Sequence, residues 1–175
     1  MKKLVDNSQQ LLNDVLNQRR EELYPSYSAQ DYFEIFCSEQ VLKEYDLSYE
    51  EIYSGIVDGE HDGGIDSAYS FVNGEIIVED LDISPFKRDV RIDLHLIQSK
   101  TSGGFSEGPI NKLISISRHL LNLTANYDEF SQYNQAVKAA LDNFRKAYRG
   151  LASKFPSLYI HYHYASQKAD ASVHN

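Results

Sequence analysis

The chain has 175 residues, a formal net charge of −9, a hydrophobic share of 42%, 13 tyrosines and one cysteine. These figures exclude a disordered chain, an internal disulfide framework and a nucleic-acid binder that relies on overall positive charge. No apolar run approaches the roughly 20 residues of a membrane span, and Met1 to Asp6 lacks the apolar stretch of a signal peptide.

Length predicts one domain, 1–175, divided into an N-terminal helix (1–27) and a core (28–166). A chain of this size buries roughly 70% of its unfolded surface. A lone cysteine suits a reducing, cytoplasmic setting, and Cys37 sits in a helical pattern as a small core residue.

Residues 4–23 carry Leu4, Leu11, Leu12, Val15, Leu16 and Leu23 at helical spacing, and Pro25 stops that helix. Ser28 caps a second helix, with Asp31 three positions on and a stripe of Tyr32, Phe33, Phe36, Cys37, Val41 and Leu42. Glu34 and Glu39 lie at the edge of that stripe. Ser48 opens a short helical turn from Tyr49 to Ile56. The period then changes. Residues 65–72 alternate, Asn73-Gly74 is a hairpin signal, and residues 75–78 return. An acidic excursion fills 79–90. Residues 91–99 alternate again, with Ile92, Leu94, Leu96, Gln98 and Lys100 on one side and Asp93, His95, Ile97 and Ser99 on the other. Pro109 opens a helix to about Leu123, a second helix covers 128–154, and 157–165 forms a last strand. The order predicts an α/β fold with a mixed sheet.

Two segments carry candidate chemistry. Gly63-Gly64-Ile65-Asp66 delivers an acid to a strand start, and Leu96-Ile97-Gln98-Ser99-Lys100 ends another strand with an amide and an ammonium. Gln98 and Lys100 share a face by strand alternation. If the strand opening at Asp66 lies beside them, a carboxylate, an amide oxygen and an ammonium converge. Such groups suit a metal-dependent phosphodiesterase. On spacing alone, an acid at a strand start and a polar strand end is the simpler reading. A lysine closing an apolar strand face, however, needs an acidic partner or a functional reason.

Asp66 with Gln98-x-Lys100 resembles the PD-(D/E)XK nuclease signature in its Mrr-like variant, where Gln replaces the second acid. Asp62-Gly63-Gly64-Ile65-Asp66, with Leu96 to Thr101 and Phe105, resembles the N-terminal part of abortive infection phage resistance (AIPR) proteins. The resemblance implies a restriction endonuclease-like αβββαβ core and a DNA endonuclease of phage defence using Mg2+ or Mn2+. Asp66, Gln98 and Lys100 would be its catalytic residues. Asp66, Glu39, Gln98 and the Ser99 carbonyl would be its metal ligands, with Glu34 the rival to Glu39. Proteins of that family continue further, so the chain is expected to be the N-terminal part of a longer protein or a short member.

Other features compete with this reading. Lys138, Arg145, Lys146, Arg149 and Lys154 fall in one late helix opposed only by Asp142. They read as a solvated face or as phosphate contacts. With Lys112, the residues Lys138, Arg145 and Arg149 are the expected DNA contacts, the last three on one helix face. Asp58 to Gly63 resembles the opening of a calcium loop, but Tyr69 stands where a bidentate glutamate is needed. His161 and His163 share a strand face and could share a metal, though core and rim is the simpler reading. Two rivals to the enzyme remain: an inactive nuclease-like module that binds nucleic acid or protein, and an oligomerisation domain using the N-terminal helix.

Overall fold

The structure, a computed structural model, describes residues 7–57, 59–78, 82–102, 107–126 and 130–168. Among these, no helix is long and apolar enough to cross a membrane.

The helical periods of the first third become α1 (Asn7–Leu23), α2 (Ala29–Val41) and α3 (Tyr49–Ser54). Their starts follow local side-chain chemistry. The Ser28 hydroxyl accepts from the Asp31 amide at 3.1 Å, which satisfies one free donor of the first turn of α2. Ser48 and Glu51 form a reciprocal capping box at α3: Ser48 Oγ accepts from Glu51 N at 3.2 Å, and Glu51 Oε2 accepts from Ser48 N at 2.7 Å. Helix α3 carries buried Ile52 into the core. Replacing Ser48 by Ala is expected to cost about 1 kcal/mol. A lowered denaturant midpoint with unchanged slope would register it.

The strands are β1 (Ser67–Val72), β2 (Glu75–Ile76) and β3 (Arg91–Lys100). Helices α4 (Glu107–Leu121) and α5 (Gln135–Leu151) lead to β4 (Ser157–Ser166). The sheet order is β2-β1-β3-β4. Strand β1 pairs antiparallel with β2 and β3, and β3 pairs parallel with β4. The fold is therefore mixed α/β, as expected. Asn73 and Gly74 make the tight turn with positive φ of 49° and 89°.

Three boundaries differ from expectation. Strand β1 opens at Ser67, because Asp66 is drawn into a side-chain contact described below. Strand β2 holds only two residues, although Ile77 N still donates to Ser70 O at 2.7 Å. Helix α5 begins at Gln135, because Asn134 caps it by accepting from Val137 N at 2.9 Å.

Strand β3 is the centre of the molecule. Ile92, Leu94 and Leu96 pack with Leu113, Ile116 and Leu120 of α4 and with Val137, Leu141 and Phe144 of α5. On the other side Ile97 packs with Tyr69, Phe71, Ile35 and Ile52. Both faces of the strand are thus covered. Helix α1 forms an outer layer, where Leu16 meets Tyr32, Phe33 and Cys37 of α2. Its Leu11, Val15 and Leu23 stay exposed.

Candidate functional site

A glycine turn brings Asp66 to the end of the sheet. Asp62 Oδ1 accepts from Gly64 N at 2.6 Å, closing the turn. The segment is thus a turn, and Asp58 lies outside the described residues. Gly64 has φ +82°, and a Cβ there would sit 2.4 Å from Lys112 Cδ. Only glycine lets the Lys112 stem cross this turn so closely. Lys112 itself is exposed. Helix α5 braces the same loop: Asn134 N donates to His61 O at 2.7 Å and its Nδ2 to Val57 O at 3.0 Å.

Asp66 is 5% exposed. Its amide donates to Ile97 O at 2.9 Å. Its Oδ2 accepts twice from Ser99, from the backbone N–H and from Oγ at 2.8 Å. Burial raises the Asp66 carboxyl above its usual range, while the Ser99 bonds and the charge of Lys100 oppose that rise. Ser67 pairs with Ile97, so Asp66 falls beside Gln98 at the sheet end. Gln98 is 3% exposed, and its Oε1 has no hydrogen-bond partner among the described residues. A buried acceptor left without a donor costs about 1–3 kcal/mol.

Asp66, Gln98, Ser99 and Lys100 therefore gather at one end of β3, but not all by contact. Ser99 is the residue that touches Asp66, and Lys100 reaches it only through space. No ion pair joins Asp66 to Lys100 among the described residues.

Glu39 does not join them. Its Oε2 pairs with Arg19 Nη2 at 2.9 Å, and its Oε1 accepts from Tyr24 OH at 3.2 Å. Helix geometry gives the reason. Five residues turn a helix by roughly 140° beyond a full turn, so Glu34 and Glu39 face different neighbours. Glu34 shares a face with Ser38 one turn on, and Ser38 Oγ lies 2.9 Å from Ser67 Oγ, beside Asp66. Glu34 is 6% exposed. Burial pushes the Cys37 thiol up to about 12, helped by the nearby charges of Asp66 and Glu34. Two acids accompany Asp66: Asp62, whose charge acts on the Asp66 carboxyl directly, and Glu34, which shares Cys37 with it as a neighbour. Cys37 is a protonated core residue.

The basic face is also revised. Arg145 is 7% exposed and donates from Nη2 to Leu123 O at 2.6 Å. It follows buried Leu141 by one turn, which turns it inward beneath the segment after α4. Arg145 is therefore a tether for that segment, and only its edge reaches the cleft it lines with Lys138 and Arg149. Lys138, Lys146 and Arg149 line an open cleft with Asp142. Lys146 is paired to Asp142 at 2.9 Å.

A second polar cluster lies further back on β3, on its α2 side. Asp93 Oδ1 lies 2.7 Å from His161 Nε2, and Arg91 Nε donates to Asp93 Oδ2 at 2.7 Å. His95 Nδ1 lies 3.0 Å from His163 Nε2, and its Nε2 lies 3.0 Å from Tyr45 OH. Burial holds His95 neutral, its pKa lowered to about 4, and the other two histidines add to this. Asp93 and His95 were missing from the sequence reading, although alternation already put them on one face. Their signal is the pairing of Asp93-x-His95 with His161-x-His163, visible only once β3 and β4 are neighbours.

No family model matches the chain, and no match is found among curated proteins or solved structures.

Two chemistries are thus separated along β3. The Asp66 end offers oxygen donors and an ammonium, and the orphaned Gln98 Oε1 fits a hard cation such as Mg2+. The Asp93 cluster offers mostly imidazole nitrogen.

Proposed function

We propose that the chain is a metal-dependent nuclease of the restriction endonuclease-like type, acting on DNA, with its site at the Asp66 end of β3. The observation that carries this reading is that buried Asp66 and buried Gln98, whose Oε1 finds no partner among the described residues, lie at the same end of the sheet. An acceptor with nothing to accept fits an absent cation better than a finished core. The order helix, three strands, helices, strand is compatible with the αβββαβ core that the sequence resemblance implies.

In this mechanism Asp66 and Gln98 offer oxygens to Mg2+ or Mn2+, with Asp62 and Glu34 the further acids close by. When bound, such an ion polarises a phosphoryl oxygen and lowers the pKa of its water. Ser99 fixes Asp66 through two donated hydrogen bonds. Lys100 stabilises the extra negative charge on the phosphate as water adds. The attacking water gives up a proton to solvent, the P–O bond to the leaving oxygen breaks, and that oxygen takes up a proton from solvent. Lys112, at the turn before Asp66, and Lys138 and Arg149, in the cleft of α5, are the basic groups that reach phosphates. A phage-defence role follows only from the AIPR resemblance.

One observation favours the rival reading, an inactive nuclease-like binding module. Ser99 already satisfies one Asp66 oxygen twice without any cation. A cleavage assay separates the two. Linear, supercoiled and single-stranded DNA, with RNA as control, are incubated with the chain in Mg2+, Mn2+ or EDTA. The nuclease reading requires cutting that EDTA abolishes. Duplex binding without any cutting would favour the module. Binding itself is expected to be weak and salt-sensitive, because a chain of −9 must neutralise phosphates with a few local cations.

A further inference from the structure

The Asp93 cluster gathers several metal-ligating side chains at one point on β3 and β4. Its three side chains, Asp93, His95 and His161, each present one ligand atom, and these atoms all lie within 4.8 Å of one another. Asp93 and His95 are 3% and 6% exposed. Strand β4 adds a fourth group, since His163 Nε2 meets His95 Nδ1 at 3.0 Å. The parallel register makes this possible: His95 pairs with His161, and Ile97 with His163. Residues two apart on each strand share a face, so all four side chains stand on one side of the seam.

We propose that Asp93, His95 and His161, with His163 closing the shell, form a binding site for a divalent ion of the Zn2+ class, separate from the Asp66 end. Tetrahedral Zn2+ with bonds of roughly 2.0–2.1 Å needs its donors roughly 3.3 Å apart. Two pairs are already near that spacing: Asp93 Oδ1 to His161 Nε2 at 2.7 Å and His95 Nδ1 to His163 Nε2 at 3.0 Å. An ion would replace the protons now shared within these pairs, and binding would release them.

The surroundings are those of a metal shell. Tyr45 OH sits on the far nitrogen of His95, which aims Nδ1 at the cluster. Arg91 grips both Asp93 oxygens, Nε on Oδ2 and Nη2 on Oδ1, each at 2.7 Å, so Oδ1 is shared between Arg91 and His161 and an ion must displace Nη2 to reach it. The positive charge of Arg91 disfavours any bound cation. The site therefore selects an ion that bonds strongly to imidazole, and rejects Mg2+ and Ca2+, which need several oxygens. The His161 side chain is 33% exposed, so an ion can enter from the outer edge of β4. The group lies three to seven residues back from Gln98 and Lys100 along β3, roughly 10–24 Å. The proposal is thus independent of the nuclease reading.

The chain, purified and stripped with EDTA, is titrated with Zn2+ by calorimetry and with Co2+ by visible absorption. One ion per chain is expected, with the intense bands of tetrahedral Co2+, and a rise in Tm with Zn2+ but not with Mg2+. His161→Ala is expected to weaken binding more than the roughly 10–100-fold that loss of an outer partner costs. Asp66→Asn is expected to leave Zn2+ affinity unchanged. Should His161→Ala lose the fold, His161→Gln offers Asp93 a hydrogen bond without a metal nitrogen, and the same loss is expected. A folded wild-type chain that takes up no Zn2+, or an affinity unmoved by either His161 variant, would overturn the site.

Discussion

Asp66→Asn and Lys100→Ala are each expected to lower Mg2+-dependent cleavage by at least about 100-fold, the scale of losing one charge-stabilising group. Both should stay folded. Lys100 lies at the half-buried end of β3, and Asn at position 66 still offers an oxygen to Ser99. The two variants should nevertheless differ in stability. Burial raises the folded-state pKa of Asp66, so the folded chain holds that proton more tightly than the unfolded chain. Wild-type stability should fall as pH rises from roughly 3.9, where the unfolded carboxyl ionises, through the higher folded value, and then level off. Asn has no proton to lose. The Asn variant should therefore gain on the wild type between pH 3 and pH 7 in denaturant midpoint. Full cleavage by folded Asp66→Asn would remove the reaction from this site. A stability difference that does not change with pH would mean that the carboxylate is better solvated than its 5% exposure implies.

The second large effect is structural. Gly55→Ala is expected to cost about 3 kcal/mol, the upper range for forcing atoms into a filled core. A Cβ at Gly55 would lie 2.1 Å from Tyr69 Cε1. That ring cannot move aside, because Tyr69 is 2% exposed and its hydroxyl donates to Ile52 O at 2.5 Å. The backbone is pinned as well, since Ala68 N donates to Gly55 O at 2.8 Å. Gly108 is the control. A Cβ there meets nothing within 4 Å, and the residue lies in α4. Gly108→Ala should stabilise by up to about 1 kcal/mol through helix propensity. Thermal or urea unfolding of the pair would show opposite signs. Equal, small shifts would mean that Tyr69 has room to relax.

Local physics explains what the sequence made legible. Ser28, Ser48 and Asn73-Gly74 each act within four residues, so their caps and turn could be read from composition alone. The alternation of β3 was equally plain. What alternation hides is that both faces are buried, because a polar face can turn inward when its groups satisfy one another. Asp93, His95 and Ser99 do this through Arg91, His161, His163 and Asp66. Apart from Arg91, which stands two residues from Asp93 in the same strand, those partners come from other elements, and no local pattern names them. The choice between Glu34 and Glu39 had the same character. Both edge the same stripe, and only the seating of α1, through Arg19 and Tyr24, claims Glu39. The burial of Arg145 was hidden for a related reason. Counting cations at helical spacing ignored that Leu141 and Arg145 share a face.

The parallel seam between β3 and β4 also has a kinetic meaning. Sixty-six positions separate Arg91 from its partner Ser157, against twenty between Val72 and Ile92 in the antiparallel seam. Closing the longer loop costs about 1 kcal/mol more in chain entropy. Helices α4 and α5 must also collapse onto the sheet before that cost is recovered. Strands β1 and β3 should therefore pair first, and β4 should dock last. The four-residue cluster of Asp93, His95, His161 and His163 straddles the late seam, so its assembly marks the final step of folding. In hydrogen exchange, the β4 amides should open at lower free energy than those joining β1 to β3.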